Sequence, residues 1–259
     1  MKTTDLLKLT TIAAAIAFGA ATAYAAEGMS YGAGAAPTPG QSSKDFRSGS
    51  SGPAKATDVR PDIARPLKEA SDLGKKNDFQ AALAKLREAD AVTDKNPYEE
   101  YVVANFIVNY SIKSNDHATA TTAINRAIAS NAVPEKEQPM IYSTAITLNT
   151  EAKNYAQAIA AGEQLEKTGK MDAASRTNVS IAYYNSGDYK NALRASKAAL
   201  EAETASGGKP IEQTLIILKN AQIKTGDTKG ALQTEVQLCD MSTTEPKAQC
   251  DAARKATKS

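Results

Sequence analysis

The feature that most constrains this chain is a short signature that returns five times at a near-constant interval. Each copy is a turn-forming triplet followed, three residues on, by an alanine: Asn77-Asp78-Phe79 with Ala82, Asn115-Asp116-His117 with Ala120, Lys153-Asn154-Tyr155 with Ala158, Gly187-Asp188-Tyr189 with Ala192, and Gly226-Asp227-Thr228 with Ala231. The alanines at 82, 120, 158, 192 and 231 follow one another at intervals of 38, 38, 34 and 39 residues. A second small or apolar position lies seven residues after each: Ala89, Ala127, Leu165, Ala199 and Leu238. Apolar residues on both sides of each triplet recur at helical spacing, as in Asn178 to Glu201, where Val179, Ala182 and Tyr183 mark one stripe and Ala192, Leu193, Ala195, Ala199 and Leu200 the next. Gly187 suits the left-handed position that closes a helix, and Asp188 suits the N-cap of the one that follows. One helix pair cannot bury both its apolar faces, so pairs at a fixed period must stack into a continuous core.

The Gly187-Asp188-Tyr189 turn with Ala192 and Ala199 closely resembles a tetratricopeptide repeat, and the other four copies match the same pattern in part. The resemblance implies an all-α, right-handed superhelix (α-solenoid) of about five helix-turn-helix repeats. The periodicity predicts helices near 62–75, 79–92, 97–113, 117–130, 138–151, 155–168, 173–185, 189–204, 210–224 and 228–240. Pro97, Pro139 and Pro210 fall where a first helical position is expected. No alternating segment rich in β-branched residues interrupts this plan.

Four segments follow. Residues 1–25 read as a signal peptide: Lys2 and Lys8 flank the start, Leu9 to Ala23 are apolar, and Ala23-Tyr24-Ala25 fits the cleavage rule, leaving Ala26 first. An uncleaved anchor is the alternative, whereas no cysteine near the site offers a point for lipid attachment. Cleavage predicts an exported, periplasmic protein with no stable membrane insertion, secretion beyond the envelope being the other outcome. Residues 26–58, rich in Gly, Ser, Ala, Pro and Thr, bury too little apolar surface to order themselves and are expected to form a disordered leader. Residues 59–241 form the repeat domain. Residues 242–259 begin with the capping signal Thr243-Thr244-Glu245-Pro246 and continue as a short helix with Ala248, Ala252 and Ala253 on one side, a terminal cap over the last repeat.

Cys239 and Cys250 stand eleven residues apart, one at the end of the last repeat and one in the capping helix. Neither a Cys-x-x-Cys nor a Cys–His pairing exists, so a structural disulfide that staples the cap is expected, contributing roughly 2–3 kcal/mol. The balance of 31 basic and 29 acidic residues gives a net charge of +2 with no basic run interleaved with aromatics, which excludes a nucleic-acid partner. Nothing supplies a phosphate loop, a nucleophile elbow or a zinc motif, and no cofactor is expected. The single histidine, His117, starts a helix. Glu99 and Glu100, adjacent and so divergent, fit the positive end of the helix that begins at Pro97 better than a catalytic pair. The sequons at Asn109 and Asn178 lie inside helices, where glycosylation is not expected.

The resemblance places a binding groove along the first helix of each pair. Carried over repeat by repeat, the groove positions are Asn105, Asn109, Ile112 and Lys113 in the second repeat, Met140, Ser143, Thr147 and Glu151 in the third, Thr177, Ile181, Tyr184 and Asn185 in the fourth, and Ile216, Asn220, Ile223 and Lys224 in the fifth. Asn105, Asn109, Lys113, Thr147, Thr177, Tyr184, Asn185, Asn220 and Lys224 are the candidates for contact with a peptide, since amides both donate to and accept from a backbone. Asn105 and Asn109 occupy places used by a carboxylate-binding subclass, but its Lys and Arg partners are missing. The other tyrosines, Tyr101, Tyr110, Tyr142, Tyr155, Tyr183 and Tyr189, are expected to fill space between helices. The leading functional expectation is a non-catalytic scaffold for a protein or peptide of the cell envelope. A peptidoglycan-active enzyme and a self-associating structural subunit remain the alternatives, with oligomeric state open.

Overall fold

Residues 59–205, 207–241 and 247–257 are described by a computed structural model. The signal segment, the leader and the capping signal at 243–246 lie outside the described residues. Among those described there are eleven α-helices and no strand: α1 (Pro61–Lys75), α2 (Phe79–Asp90), α3 (Pro97–Lys113), α4 (His117–Ala129), α5 (Gln138–Glu151), α6 (Tyr155–Lys167), α7 (Ala173–Asn185), α8 (Tyr189–Thr204), α9 (Glu212–Thr225), α10 (Thr228–Met241) and α11 (Lys247–Ala256). None is long and apolar enough to cross a membrane. They pair as α1/α2, α3/α4, α5/α6, α7/α8 and α9/α10, each second helix packs on the first helix of the next pair, and α11 packs on α10. This is the all-α solenoid that the resemblance implies.

The turns explain why the signature repeats. The first residue of every triplet has a left-handed backbone: Asn77 at φ 61°, Asn115 at 59°, Lys153 at 61°, Gly187 at 87° and Gly226 at 82°. Reversing the chain there frees the next residue to cap the following helix. Asp78 accepts from the Ala81 N–H, Asp116 from Thr119, Asp188 from Asn191 and Asp227 from Gly230. Asn154 makes no such cap, so the third turn lacks it.

The alanines carry the packing. Ala82, Ala120, Ala158 and Ala192 have no exposed surface, and Ala231 is also buried. Ala89, Ala127, Leu165, Ala199 and Leu238 form the second buried position. A methyl side chain lets the two helices of a pair approach; a longer one would hold them apart. Gly162 does the same between α6 and α7, since a Cβ there would lie 2.5 Å from a Val179 methyl. Tyr101, Tyr110 and Tyr183 are buried among these layers, and Tyr142, Tyr155 and Tyr189 are half-buried, as interhelical filling requires.

The start of α9 departs from expectation by two residues. Pro210 does not open a helix: α9 starts at Glu212 behind an extended N-cap, Ile211. The reason is Glu203 at the end of α8, whose Oε2 accepts the Ile211 N–H at 2.8 Å and holds that stretch extended. Cys239 and Cys250 are bridged, joining α10 to α11. Glu235, also on α10 and buried, accepts from Lys219 of α9 at 2.6 Å and from Gln249 of α11.

Candidate binding face

The first helices form an inner layer. α1 touches α3, α5 touches α7 and α7 touches α9, while α3 and α5 meet less closely; successive second helices share no comparable contact among the described residues. Helices in contact on one side and splayed on the other curve the array toward the contacting side, so the first helices line its inner face.

The seams within this layer are polar. Ser143 of α5 meets Ser175 of α7, oxygen to oxygen, at 2.9 Å. Asn178 of α7 donates to the Thr147 hydroxyl of α5 at 3.3 Å. Thr177 of α7 meets Thr214 of α9 at 2.8 Å, and both hydroxyls lie within hydrogen-bond reach of Glu203 Oε1, at 3.2 Å and 2.6 Å. Hydroxyls at a helix–helix contact keep the axes close while satisfying one another.

These seams correct two of the nine expected groove residues. Asn105 is only 3% exposed and Thr177 only 5%. Asn105 donates to the Tyr101 hydroxyl at 3.3 Å, and Thr177 belongs to the Thr214–Glu203 knot. Both stand at the same repeat position: Thr177 faces the neighbouring first helix, α9, and Asn105 is covered within the fold, bonded along α3. Buried and bonded within the fold, they offer nothing to a ligand.

The other seven reach the surface. Asn109 and Asn185 are exposed, each donating to a backbone carbonyl one turn back, Asn105 O at 2.8 Å and Ile181 O at 2.9 Å. Each amide retains acceptor capacity on its oxygen, having more bonding sites than these contacts use. Thr147 and Asn220 are half-buried. Lys113 is exposed and lies 5.6 Å and 5.7 Å from the ring centroids of Phe79 and Tyr110. Tyr184 is half-buried, its ring 5.3 Å from that of Tyr189, and Lys224 lies 5.6 Å over the Tyr189 ring. Burial, then the neighbouring Tyr189, pushes the Tyr184 hydroxyl above its usual pKa, so it stays a neutral donor. Met140 and Ile223 are 42% and 59% exposed beside these positions.

Sequence reasoning did not foresee that the first residue of a second helix reaches the last turn of the next first helix: Phe79 with Lys113, His117 with Glu151 at 3.3 Å, and Tyr189 with Lys224. The interval between partners is close to the repeat itself, so the pairing was present in the spacing. The two acids set aside as a catalytic pair are both structural. Glu99, with no exposed surface, completes a capping box with Asn96 and accepts from Arg60 at 2.9 Å, while Glu100 accepts from Arg126 at 2.9 Å. The partly open cleft between α6, α7 and α8, lined by Gly162, Glu166, Met171, Arg176 and Val179, has a volume of about 30 Å³, far smaller than a typical small-molecule site.

Helix pairs stacked at this period with a turn–alanine code define a tetratricopeptide-repeat fold. Solved structures bear this out. The chain is similar to YrrB, described as a TPR protein with an unusual peptide-binding site, at 13% identity and a TM-score of 0.53 over 74% of this chain and 97% of that one. It is similar to the MamA RS-1 ArsTM double mutant at 14% identity and a TM-score of 0.50, over 70% of this chain and 95% of that one. It also resembles MamA MSR-1 at 12% identity and a TM-score of 0.50, over 75% and 98%. No family model matches the chain, and no curated protein matches it in sequence.

Proposed function

We propose that this chain is a non-catalytic scaffold that holds an extended segment of a partner protein along the inner face of its solenoid, in the cell envelope. The observation that carries the reading is the row of side chains left open beside the seams, Asn109, Tyr184, Asn185 and Asn220, on helices packed against their neighbours. Packed helices presenting open side chains from several repeats give a peptide a preorganised track and spare the ordering cost on the protein side. The peptide-binding site for which YrrB is described supports the same use of this fold. The periplasmic assignment rests on the signal-like segment from Met1 to Ala25. The non-catalytic assignment is supported by the most buried carboxylates, Glu99 and Glu235, being engaged by Arg60 and Lys219 rather than poised in a cleft.

Site-specific photo-crosslinking in intact cells tests this. A probe in place of Tyr184 or Asn220 is expected to give discrete protein adducts, while a probe at the exposed Lys197 on α8 gives none. Equal adducts from inner and outer positions, or none from either, would move the working surface elsewhere.

A further inference from the structure

The floor of the inner face has no charge, in any repeat. The position that stands beside the seams is Ser71, Asn109, Thr147, Ile181 and Asn220 along the five first helices. One turn further on it is Gly74, Ile112, Thr150, Tyr184 and Ile223. Charged residues make up 23% of the chain, yet none of these ten positions carries one. Charge resumes one residue later, at Lys75, Lys113, Glu151 and Lys224, and there it is occupied: Lys75 with Asp72 at 3.1 Å, Glu151 with His117, and both other lysines over aromatic rings.

From this we infer that the occupant of the inner face is an uncharged, extended polypeptide segment read through its backbone, with a repeat of three residues per helix pair. The inference rests on the inner face being the binding surface. A neutral floor has nothing to compensate a charge brought out of water, so an acidic or basic side chain laid on it costs free energy. Amides do satisfy a backbone, and Asn109 and Asn220 supply them from two different repeats. The spacing fits a particular conformation. Packed helices lie about 8–10 Å apart, and one turn of polyproline II, three residues at about 3.1 Å each, spans about 9 Å. A segment in that conformation presents the same face to each successive first helix, and Tyr184, with its aromatic neighbour Tyr189, offers the flat surface such segments dock on.

The test is selection of a random peptide library, about 12 residues long, on the full mature protein. Two paired variants accompany it: Asn109→Asp with Asn220→Asp, which charges the floor, and Lys113→Gln with Lys224→Gln, which neutralises the rim. Thermal unfolding confirms that each pair remains folded. Selected peptides are expected to be depleted in charged residues, with recurring positions every third residue. Their binding should change less than about twofold between about 50 and about 500 mM salt. The floor pair is expected to weaken binding about tenfold and the rim pair less than about twofold. Acid-rich, salt-sensitive peptides that bind the floor pair normally and are lost with the rim pair would overturn the inference while leaving the inner face as the binding surface. An absence of enrichment, or binders indifferent to both pairs, would overturn the binding surface and the inference together.

Discussion

A carboxylate with no exposed surface ordinarily weakens a fold, and Glu99 answers that cost with three donors. Its oxygens accept from the Arg60 backbone N–H at 3.0 Å, the Arg60 Nε at 2.9 Å and the Asn96 N–H at 2.9 Å. Burial alone would raise its pKa, but these bonds and the Arg60 charge together hold it below the usual carboxylate value. Glu235 is alike: burial raises it, and Lys219 and Gln249 bring it below the ordinary range. The sign follows from the depression. Each group adds stability that is complete above its unfolded pKa, near 4.3, and is lost as pH falls through the lower folded value. Glu99→Gln is therefore expected to cost about 2 kcal/mol at neutral pH and to flatten the acid limb of a stability–pH profile. Urea unfolding from pH 7 down to pH 3 checks this; an acid limb as steep as wild type would remove Glu99 from the account. The first-turn placement of both acids was read from the helix start at Pro97, whereas the capping box with Asn96, though equally local, was not read. The Arg60 contact was not: its 39-residue separation is close to one repeat, but Arg60 precedes the first turn signature, so no motif marked it as a partner. Asn105 and Thr177 were misplaced for a related reason: the turn alanine fixes a residue's position along its helix but not which flank the next first helix will cover.

At the scale of the element, most of the fold was readable because each helix pair writes its own instructions locally. A left-handed first residue, an Asp cap and a buried alanine within six residues suffice to stop one helix and start the next. Helix ends differ from expectation by no more than two residues, and at α9 the shift has an identified cause, Glu203 acting from the preceding helix. The third turn is the weakest written. Lys153 carries a Cβ in a left-handed backbone, and Asn154 behind it caps nothing. Lys153→Gly is expected to stabilise the protein by about 1 kcal/mol, relief of the steric penalty outweighing the added freedom of the unfolded chain. A rise in thermal midpoint checks it; a fall would mean that the lysine's contacts outweigh the strain.

Across the whole molecule, stability is shared between neighbours only, and the ends are where such an array opens. At one end α11 touches α10 and is held to it by the Cys239–Cys250 bridge, the Glu235–Gln249 bond and the Arg254–Asp240 ion pair at 2.9 Å. Replacing both cysteines by serine is expected to cost roughly 2–3 kcal/mol in that region. Amide hydrogen exchange should quicken in α10 and α11 and stay unchanged in α3 to α6. Uniform loss of protection along the chain would instead mark the repeats as one cooperative block. The cysteines' partnership was legible from their number and spacing, whereas the polar seams that join first helix to first helix were not, since they pair residues across different repeats.

The bridge also gives the solenoid a direction. Tension entering through the last helix passes along a covalent link into α10 and is spread over the contacts of the final pair before any turn can peel away. Tension entering through α1 meets hydrogen bonds and packing alone. A partner that tugs on this protein would therefore find one end that behaves as an anchor and another that behaves as a fuse.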